Sequence, residues 1–232
     1  MRILVGTPTY NGQLTTPYTS SLLGLSKLLG DQMEWATTNG TLVAFARNAL
    51  ASRVLEEDFS HLLFADSDIS FEPELVQRLI AFDEQIVGAV YPQRTIDQQR
   101  FFHQARSRSD ANTAWATSLS FPMTLETPHV SRGDFYRAET IPAGLMLIKR
   151  EALEKIREDY PDLYRSAADS YYQSQGLKNV LQCFDPVYDP NGVAIGEDLS
   201  FCRRWRAIGG ELWTIFDDTV GHFGPFLFRA RL

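Results

Sequence analysis

Short apolar runs alternate with helix-forming segments along the first 94 residues, and this alternation restricts the chain to few folds. The runs at residues 2–6, 61–65 and 86–91 have the length and apolar character of buried strands. Between them, residues 42–57 and the segment that starts at Pro73 carry apolar residues at helical spacing. Strands that alternate with helices in this way build parallel sheets covered on both faces. The sequence therefore predicts an α/β fold with a mainly parallel central sheet flanked by helices.

The second half of the chain has a less regular pattern. Residues 143–149 predict a strand, and residues 151–158 and 198–208 predict helices. Two long segments, 95–135 and 159–195, are polar or rich in tyrosine, aspartate and proline, and we predict that they are irregular. A chain of 232 residues has the length of one large domain or two small ones. We interpret it as one domain interrupted by two excursions.

The charge and the cysteine content exclude several classes of protein. The formal net charge is −7, from 22 Lys and Arg against 29 Asp and Glu, which argues against nucleic acid or an anionic membrane bound through bulk positive charge. Cys183 and Cys202 could form one disulfide, but a reduced, cytoplasmic protein fits two cysteines better. The apolar runs are too short to cross a bilayer, so we expect no transmembrane segment.

Two aspartates follow directly on a buried-type strand. Asp66 and Asp68 come after residues 61–65, at the strand end where open parallel sheets bind their ligands. Side chains two residues apart on an extended chain point the same way, so both carboxylates can approach one ion. Paired carboxylates suit Mg²⁺ or Mn²⁺, while the alternative role is to cap a turn or a helix.

Five further residues have the chemistry of a reaction centre, and each also has a structural role open to it. Glu197 and Asp198 begin the last predicted helix, where they either complement the helix dipole or supply a general base. His222 lies near two glycines and either makes a structural hydrogen bond or completes a metal site. Arg47 and Arg94 are candidates for phosphate contact, although Arg47 could equally form an internal salt bridge.

These motifs, taken in order, resemble those of glycosyltransferases of the GT-A fold, in particular a bacterial and phage group of family-2-like enzymes. The segments that carry the resemblance span nearly the whole chain: GTPTY at 6–10, ARN at 46–48, LLFADSDISF at 62–71, VGAVYP at 87–92, AGLMLIKR at 143–150, and EDLSFCRRW at 197–205 followed by Gly209-Gly210. The resemblance implies a single GT-A, Rossmann-like domain over residues 1–232. Residues 1–94 would form its nucleotide-binding half, and residues 95–232 a partly antiparallel acceptor-side half.

The resemblance also implies an activity and a role for each matched residue. A sugar would pass from a UDP- or GDP-linked donor to a hydroxyl of a glycan or other acceptor. Asp66, Asp68 and His222 would hold Mn²⁺ or Mg²⁺. Asp198, with Glu197 beside it, would deprotonate the acceptor in an inverting reaction. The residues implied to contact the nucleotide sugar are Thr7, Pro8, Thr9, Tyr10, Arg47, Asp66, Ser67, Arg94, Ala143 and Gly144.

Several alternatives remain open from the sequence. The reaction could retain the anomeric configuration, since His222 is also common in retaining relatives. A phosphatase of the haloacid-dehalogenase type also places an Asp-x-Asp motif after an apolar strand, but normally after the first one. A nucleotidyltransferase would need a basic residue in the loop 6–12, which has none. A non-catalytic carbohydrate-binding protein is a further possibility. The aromatic residues of 159–195 either stack on acceptor sugars or pack as a small core.

Overall fold

The structure, a computed structural model, describes residues 1–107 and 110–225. Its helices are α1 (Thr16–Leu29), α2 (Val43–Glu56), α3 (Pro73–Phe82), α4 (Gln98–Ser107), α5 (Ala111–Ala116), α6 (Arg150–Asp159), α7 (Ser170–Ser174) and α8 (Glu197–Ala207). Its strands are β1 (Ile3–Pro8), β2 (Met33–Thr38), β3 (His61–Ala65), β4 (Ile69–Ser70), β5 (Ile86–Ala89), β6 (Thr124–Leu125), β7 (Ser131–Arg132), β8 (Phe135–Thr140), β9 (Leu145–Lys149), β10 (Tyr164–Ser166), β11 (Asn179–Leu181), β12 (Leu212–Ile215) and β13 (Gly221–His222).

The largest sheet has the strand order β2-β1-β3-β9-β5-β12-β8-β6, with β7 paired to β8. Strand β1 lies parallel between β2 and β3, and β12 is parallel to β5. Strand β9 is inserted antiparallel between β3 and β5, which therefore run in the same direction. At the far side, β8 is antiparallel to β12, β6 and β7. The prediction of a mainly parallel sheet with a smaller antiparallel part is confirmed.

Helices cover both faces of this sheet, as the alternation predicts. On one face α2, α6 and α8 contribute Leu50, Ile156 and Phe201 to the core. On the other face α1 and α3 contribute Leu25 and Leu79. Because strands between two such layers are buried on both sides, β1, β3 and β9 are continuous apolar runs rather than alternating ones.

The ends of several strands meet at one edge of the sheet. Pro8 ends β1 and Ala65 ends β3, the strand beside it. Leu145 begins the antiparallel β9 directly opposite Ala65. Ala89 ends β5 on the other side of β9. The loops that leave this edge carry most of the polar residues predicted for the site, because loops converge at the carboxyl ends of parallel strands.

The two excursions contain more regular structure than predicted. Residues 95–135 include α4 and α5, so the prediction of an irregular segment is wrong there. Helix α4 buries no residue and α5 buries only Ala114. Such helices do not need apolar residues at helical spacing, which is the signal that predicts a helix from sequence. In residues 159–195, Tyr172 and Phe184 belong to buried clusters, whereas Tyr188 is 71% exposed. Most of this aromatic segment therefore packs as core.

Two expectations from composition can be compared with the structure. Cys183 and Cys202 are both free and buried. Within the described ranges, none of the helices is both long enough and apolar enough to cross a bilayer.

Candidate active site

A tight turn after β3 carries the paired aspartates. The N–H of Ile69 donates to the carbonyl of Asp66 at 3.0 Å. Strand β4 then pairs antiparallel with β13, which places His222 opposite Ile69. The N–H of Phe223 donates to the carbonyl of Asp68 at 2.8 Å and ties the two segments together. Backbone hydrogen bonds therefore fix the second aspartate beside a histidine that is remote in sequence.

The carboxylate of Asp68 contacts two basic side chains through one oxygen. Its Oδ2 lies 2.9 Å from the guanidinium of Arg94 and 3.5 Å from Nε2 of His222. The other ring nitrogen, Nδ1, lies 2.8 Å from the carbonyl of Pro92. Because a carbonyl can only accept, Nδ1 carries the hydrogen of that bond, and Nε2 is the lone-pair nitrogen of the neutral ring.

These contacts shift the pKa of both partners towards their charged forms. Burial alone raises the pKa of Asp68, but His222 and Arg94 outweigh burial, so the pKa lies below the ordinary value of 3.8. Burial lowers the pKa of His222, but the Asp68 carboxylate and the Pro92 carbonyl outweigh it and raise the pKa above 6.5. The pair is therefore an electrostatically coupled unit rather than two independent surface groups.

A pocket of about 350 Å³ opens beside this pair. It is formed by the loops that follow β1, β2, β3 and β5 together with the start of α2. Its lining residues are Pro8, Thr9, Tyr10, Thr41, Leu42, Val43, Ala46, Asp66, Ser67, Asp68 and Arg94. Most of the residues predicted to contact a nucleotide sugar are among them. The volume and the mixture of apolar and charged walls are typical of pockets for small ligands.

The loop after β1 forms one wall of the pocket and is anchored to the end of β2. The N–H and the hydroxyl of Thr9 both donate to the carbonyl of Thr38 at 2.8 Å. The N–H of Gly40 donates to the carbonyl of Tyr10 at 3.0 Å. Tyr10 itself is 80% exposed, and Leu42 is 68% exposed. This wall therefore offers flat apolar surface on a fixed backbone.

A second group of charges surrounds Arg47, whose side chain is only 3% exposed. The Nη2 atom donates to both carboxylate oxygens of Asp66 at 3.0 Å, and Nη1 donates to the carbonyl of Ala143 at 3.2 Å. The Nε atom lies 3.6 Å from Oε1 of Glu197 and has no hydrogen-bond partner in the described part of the chain. Of the two roles considered for Arg47, the structure shows the internal salt bridge.

Asp198 and Tyr91 lie near this charged group. Burial, followed by the negative charge of Glu197, raises the pKa of Asp198 above its ordinary 3.8. Burial, followed by the charge of Asp66, raises the pKa of Tyr91 well above its usual range. The Tyr91 hydroxyl accepts the N–H of Gly144 at 3.0 Å. The start of α8 and the end of β5 therefore meet around the first aspartate.

The structure brings together two of the three predicted metal ligands. Asp68 and His222 present a carboxylate oxygen and a ring nitrogen 3.5 Å apart, and the ring's other nitrogen donates to a carbonyl, as in ordinary metal-binding histidines. Asp66 is not part of that contact because both its oxygens bind Arg47. Over residues 1–107 and 110–225, no three His, Cys, Asp or Glu side chains are grouped to hold an ion. The donor set that fits a divalent cation is the Asp68–His222 pair, with further positions left for water and phosphate.

Four residues predicted to contact the nucleotide sugar do not line the pocket: Arg47, which is buried in the charged group above, and Thr7, Ala143 and Gly144. Thr7 is fully buried, and its hydroxyl bonds the hydroxyl of Tyr18 and accepts from Nε1 of Trp35 at 2.9 Å. Its side chain belongs to the core because β1 is covered on both faces. Ala143 and Gly144 are also buried, and their backbone atoms bond Arg47, Asp66 and Tyr91 instead.

Sequence reasoning missed the role of two parts of this site. Tyr91 packs edge-to-face on the ring of His222, with the ring centres 5.2 Å apart. Its place at the end of an apolar run, like that of Asp66, is the signal that could have marked it. Leu42 and Val43 line the pocket at the start of α2, where two exposed apolar residues are an unusual surface feature.

No family of related sequences and no curated protein matches the chain. Among solved structures, the chain is similar to A197 from STIV, with a TM-score of 0.53 and 17% identity over 97% of this chain and 87% of that one. It is also similar to a mannose-1-phosphate geranyltransferase from Thermus thermophilus, with a TM-score of 0.44 and 11% identity over 95% and 76% of the two chains. A glycosyltransferase involved in the glycosylation of the major capsid of PBCV-1 gives a TM-score of 0.30 and 11% identity over 75% and 74%. The similarity to A197 supports the α/β fold described above.

Proposed function

We propose that this protein is a metal-dependent glycosyltransferase that moves a sugar from a UDP- or GDP-linked donor to a hydroxyl of a glycan or other acceptor. The observation that carries the proposal is the pairing of β4 with β13, which brings His222 to Asp68 at the wall of a pocket built from strand ends. Segments that the resemblance to GT-A enzymes assigns to one site are far apart in sequence and meet here. If Asp68 only capped a turn and His222 only made a structural hydrogen bond, the fold would not need to bring the two together.

In this proposal the pocket binds the nucleotide and the charged side chains bind its diphosphate. A divalent cation held by Asp68 and His222 would neutralise negative charge on the leaving diphosphate. Arg94, whose guanidinium already lies at the Asp68 carboxylate, would donate to diphosphate oxygens. The exposed ring of Tyr10, on the anchored loop after β1, would pack against the base.

Asp198 is the proposed general base. It would accept the proton of the acceptor hydroxyl as that oxygen attacks the anomeric carbon. A raised pKa makes its carboxylate a stronger base than that of an exposed aspartate, and the neighbouring charge of Glu197 contributes to the shift. Attack in line with the leaving group inverts the anomeric configuration. Proton NMR of the product's anomeric centre distinguishes this outcome from retention.

Hydrolysis of nucleotide sugars without acceptor tests the activity class. UDP-glucose, UDP-galactose and GDP-mannose are incubated with the protein and either Mn²⁺ or EDTA, and released nucleoside diphosphate is measured. We expect release that depends on the metal. Release of inorganic phosphate from sugar phosphates would instead indicate a phosphatase of the haloacid-dehalogenase type. Absence of both products would indicate a non-catalytic carbohydrate-binding protein.

A matched pair of substitutions tests the proposed metal ligand. Asp68→Asn keeps the size of the side chain but removes the charge, and we expect it to weaken Mn²⁺-dependent nucleotide binding by roughly 10- to 100-fold. Asp58→Asn makes the same chemical change at an exposed turn before β3 and should leave binding unchanged. Equal binding by the two variants would remove Asp68 from the metal site.

A further inference from the structure

A second pocket adjoins the first around the same charged group. It has a volume of about 310 Å³ and shares Arg94 with the nucleotide pocket. Asp68 lines the first pocket and His222 lines the second, and the two side chains are 3.5 Å apart. We propose that this second pocket binds a pyranose ring, with Trp115 as the surface on which the ring packs. This inference rests on the proposed function and names the sugar subsite of that reaction.

The position of the pocket is the first argument. Group transfer requires two molecules to meet at one reacting centre, so their binding sites must share a boundary. The Asp68–His222 contact and Arg94 form such a boundary here, because each pocket includes one member of the pair and both include the arginine. A pocket elsewhere on the surface would have no access to the leaving diphosphate.

The chemistry of the lining is the second argument. Trp115 is 51% exposed, and Ile96 and Leu119 extend the apolar surface beside it. A pyranose ring has a face of C–H groups that packs on an indole and an edge of hydroxyls that needs hydrogen-bond partners. Gln93 and Thr95 supply a free amide and a free hydroxyl, since neither side chain bonds any residue in the described ranges. Flat apolar surface combined with a few polar groups is the usual composition of a specific small-ligand pocket.

The charge of the lining favours a neutral ring over an anion. Among the described residues that line it, the arginine is Arg94, which is already paired with Asp68. His222 donates through Nδ1 to the Pro92 carbonyl and faces the same carboxylate through Nε2. Without metal and nucleotide, as in the binding test below, the contacts with Asp68 therefore leave no uncompensated positive charge on these two side chains for an anion bound in this pocket.

The pocket is preformed rather than assembled by a flexible loop. The N–H of Gln93 donates to the carbonyl of Ser120 at 2.8 Å, and Ile96 pairs with Leu119 in an isolated antiparallel bridge. The ring of Trp115 packs edge-to-face on Phe101 with the ring centres 5.8 Å apart. The segments before α4 and after α5 are thus tied together by backbone hydrogen bonds. A preformed pocket lowers the entropic cost of binding a sugar.

Saturation-transfer NMR with free sugars tests the proposal. The probes are the methyl α- and β-pyranosides of glucose, galactose and mannose, applied to wild-type protein without nucleotide. We expect saturation transfer to at least one of them, and a loss of affinity of about tenfold in Trp115→Ala, as for a tryptophan at the centre of a binding site. Trp115→Phe, which keeps an aromatic face, should retain binding. Phe102→Ala removes another exposed ring, 62% exposed on α4, and should bind like the wild type.

Two results would overturn the proposal: no saturation transfer from any of these pyranosides, or equal transfer in Trp115→Ala and wild type. Should Trp115→Ala fail to fold, the double variant Gln93→Ala and Thr95→Ala on the exposed loop replaces it, with a several-fold loss expected from the missing hydrogen bonds. Failure of nucleotide-sugar hydrolysis would reject the proposed function while leaving this sugar-binding result intact, so the two failures are distinguishable.

A competition experiment shows whether the bound pyranose belongs to the donor or to the acceptor. With Mn²⁺ present, UDP and GDP should not displace the pyranoside, because the nucleotide lies in the first pocket. If UDP-glucose or GDP-mannose displaces it while the free nucleotides do not, the pocket holds the donor's sugar. If the pyranoside stays bound with the nucleotide sugar present, the pocket holds the acceptor. Both results support a pyranose site, whereas displacement by UDP and GDP themselves would show that the two pockets are not separate and would reject it.

Discussion

Arg47 donates to both carboxylate oxygens of Asp66 at 3.0 Å from a side chain that is only 3% exposed. The same guanidinium lies 3.6 Å from Glu197 at the start of α8. One buried cation thus links the turn that carries the proposed metal ligand to the helix that carries the proposed base. Because the charges of such a group are compensated only by each other, loss of one member leaves the others buried and unpaired.

We predict that Arg47→Met destabilises the protein by about 3–5 kcal/mol, the range for breaking a buried ion pair by removing one partner. Arg78 provides a control because it too pairs with acids, in its case Asp134, Asp217 and Asp218, but its side chain is 34% exposed. Arg78→Met should cost only about 0–1 kcal/mol, since solvent screens exposed pairs. Urea denaturation of both variants measures the difference. Similar losses of unfolding free energy in both variants would show that burial does not determine how much the Arg47 ion pair stabilises the protein.

Arg94 is predicted to compete with a divalent cation for the same oxygen of Asp68. Its guanidinium lies 2.9 Å from Oδ2, and the side chain is 52% exposed. Arg94→Ala should therefore tighten Mn²⁺ binding in the absence of nucleotide by about two- to fivefold, the value of a partly exposed charge contact. It should also weaken binding of UDP or GDP by about tenfold or more, because a charged donor to the diphosphate is lost.

Calorimetric titrations with Mn²⁺ alone and with nucleotide at saturating Mn²⁺ separate these two effects of Arg94. Arg100→Ala, a change at an exposed residue of α4 outside the nucleotide pocket, is the control and should alter neither affinity. Weaker Mn²⁺ binding in Arg94→Ala would show that the arginine supports the ion rather than competing with it.

The framework of the first half could be predicted because its signals are local. Strand β3 has the predicted bounds 61–65, and α2, Val43–Glu56, lies within one residue of the predicted 42–57 at each end. Burial on both faces imposes continuous apolar runs on such strands. The direction of β9 was not predictable, because a buried strand has the same apolar run whichever way it runs. Only its pairing with β3 and β5 decides the direction.

The sequence allowed us to predict which residues belong to the site, but not which side chains each of them contacts. Asp66 and Asp68 are chemically alike and two residues apart, yet one binds Arg47 and the other contacts Arg94 and His222. Which carboxylate meets which base depends on the turn after β3 and on segments that are remote in sequence. No local pattern encodes that choice. The sequence predicted three metal ligands, Asp66, Asp68 and His222, whereas the structure groups only Asp68 with His222.

The activity is predicted to depend on pH through Asp198. Its pKa is raised above 3.8, by burial first and by the charge of Glu197 second, and the base must be deprotonated to act. Transfer should therefore rise as pH increases through this raised pKa. Glu197→Gln removes the neighbouring charge and should move the acidic limb of kcat/KM to lower pH. Asp198→Asn should reduce transfer by about 100-fold or more, the usual contribution of a general base. An unchanged acidic limb in Glu197→Gln would show that another group sets the profile.

The same shift predicts a gain in stability when the base is removed. A carboxyl whose pKa is higher in the folded than in the unfolded state favours folding at low pH, and this contribution is lost as pH rises through the folded pKa. Asp198→Asn cannot ionise, so it should be more stable than the wild type at pH 7, by on the order of 1 kcal/mol, because it removes a charge that burial and Glu197 disfavour. The gain should vanish near pH 3. Thermal unfolding at both pH values measures it, and lower stability of the variant at pH 7 would contradict the sign.

Gly144 is predicted to be a residue at which a single methyl group disturbs the site. A Cβ there would lie 2.7 Å from Cζ of Tyr91 and 2.9 Å from Oδ2 of Asp66, closer than side chains approach one another in proteins. Gly144→Ala should therefore cost about 1–3 kcal/mol, as overpacking of a well-packed core does, and should displace the carboxylate that Arg47 binds. At Gly196 a Cβ would meet Asp198 at an ordinary 3.5 Å, and φ is −54°. Gly196→Ala should thus change stability by no more than about 0.5 kcal/mol. Urea denaturation compares the two, and equal losses would mean that Tyr91 and Asp66 can move aside without cost.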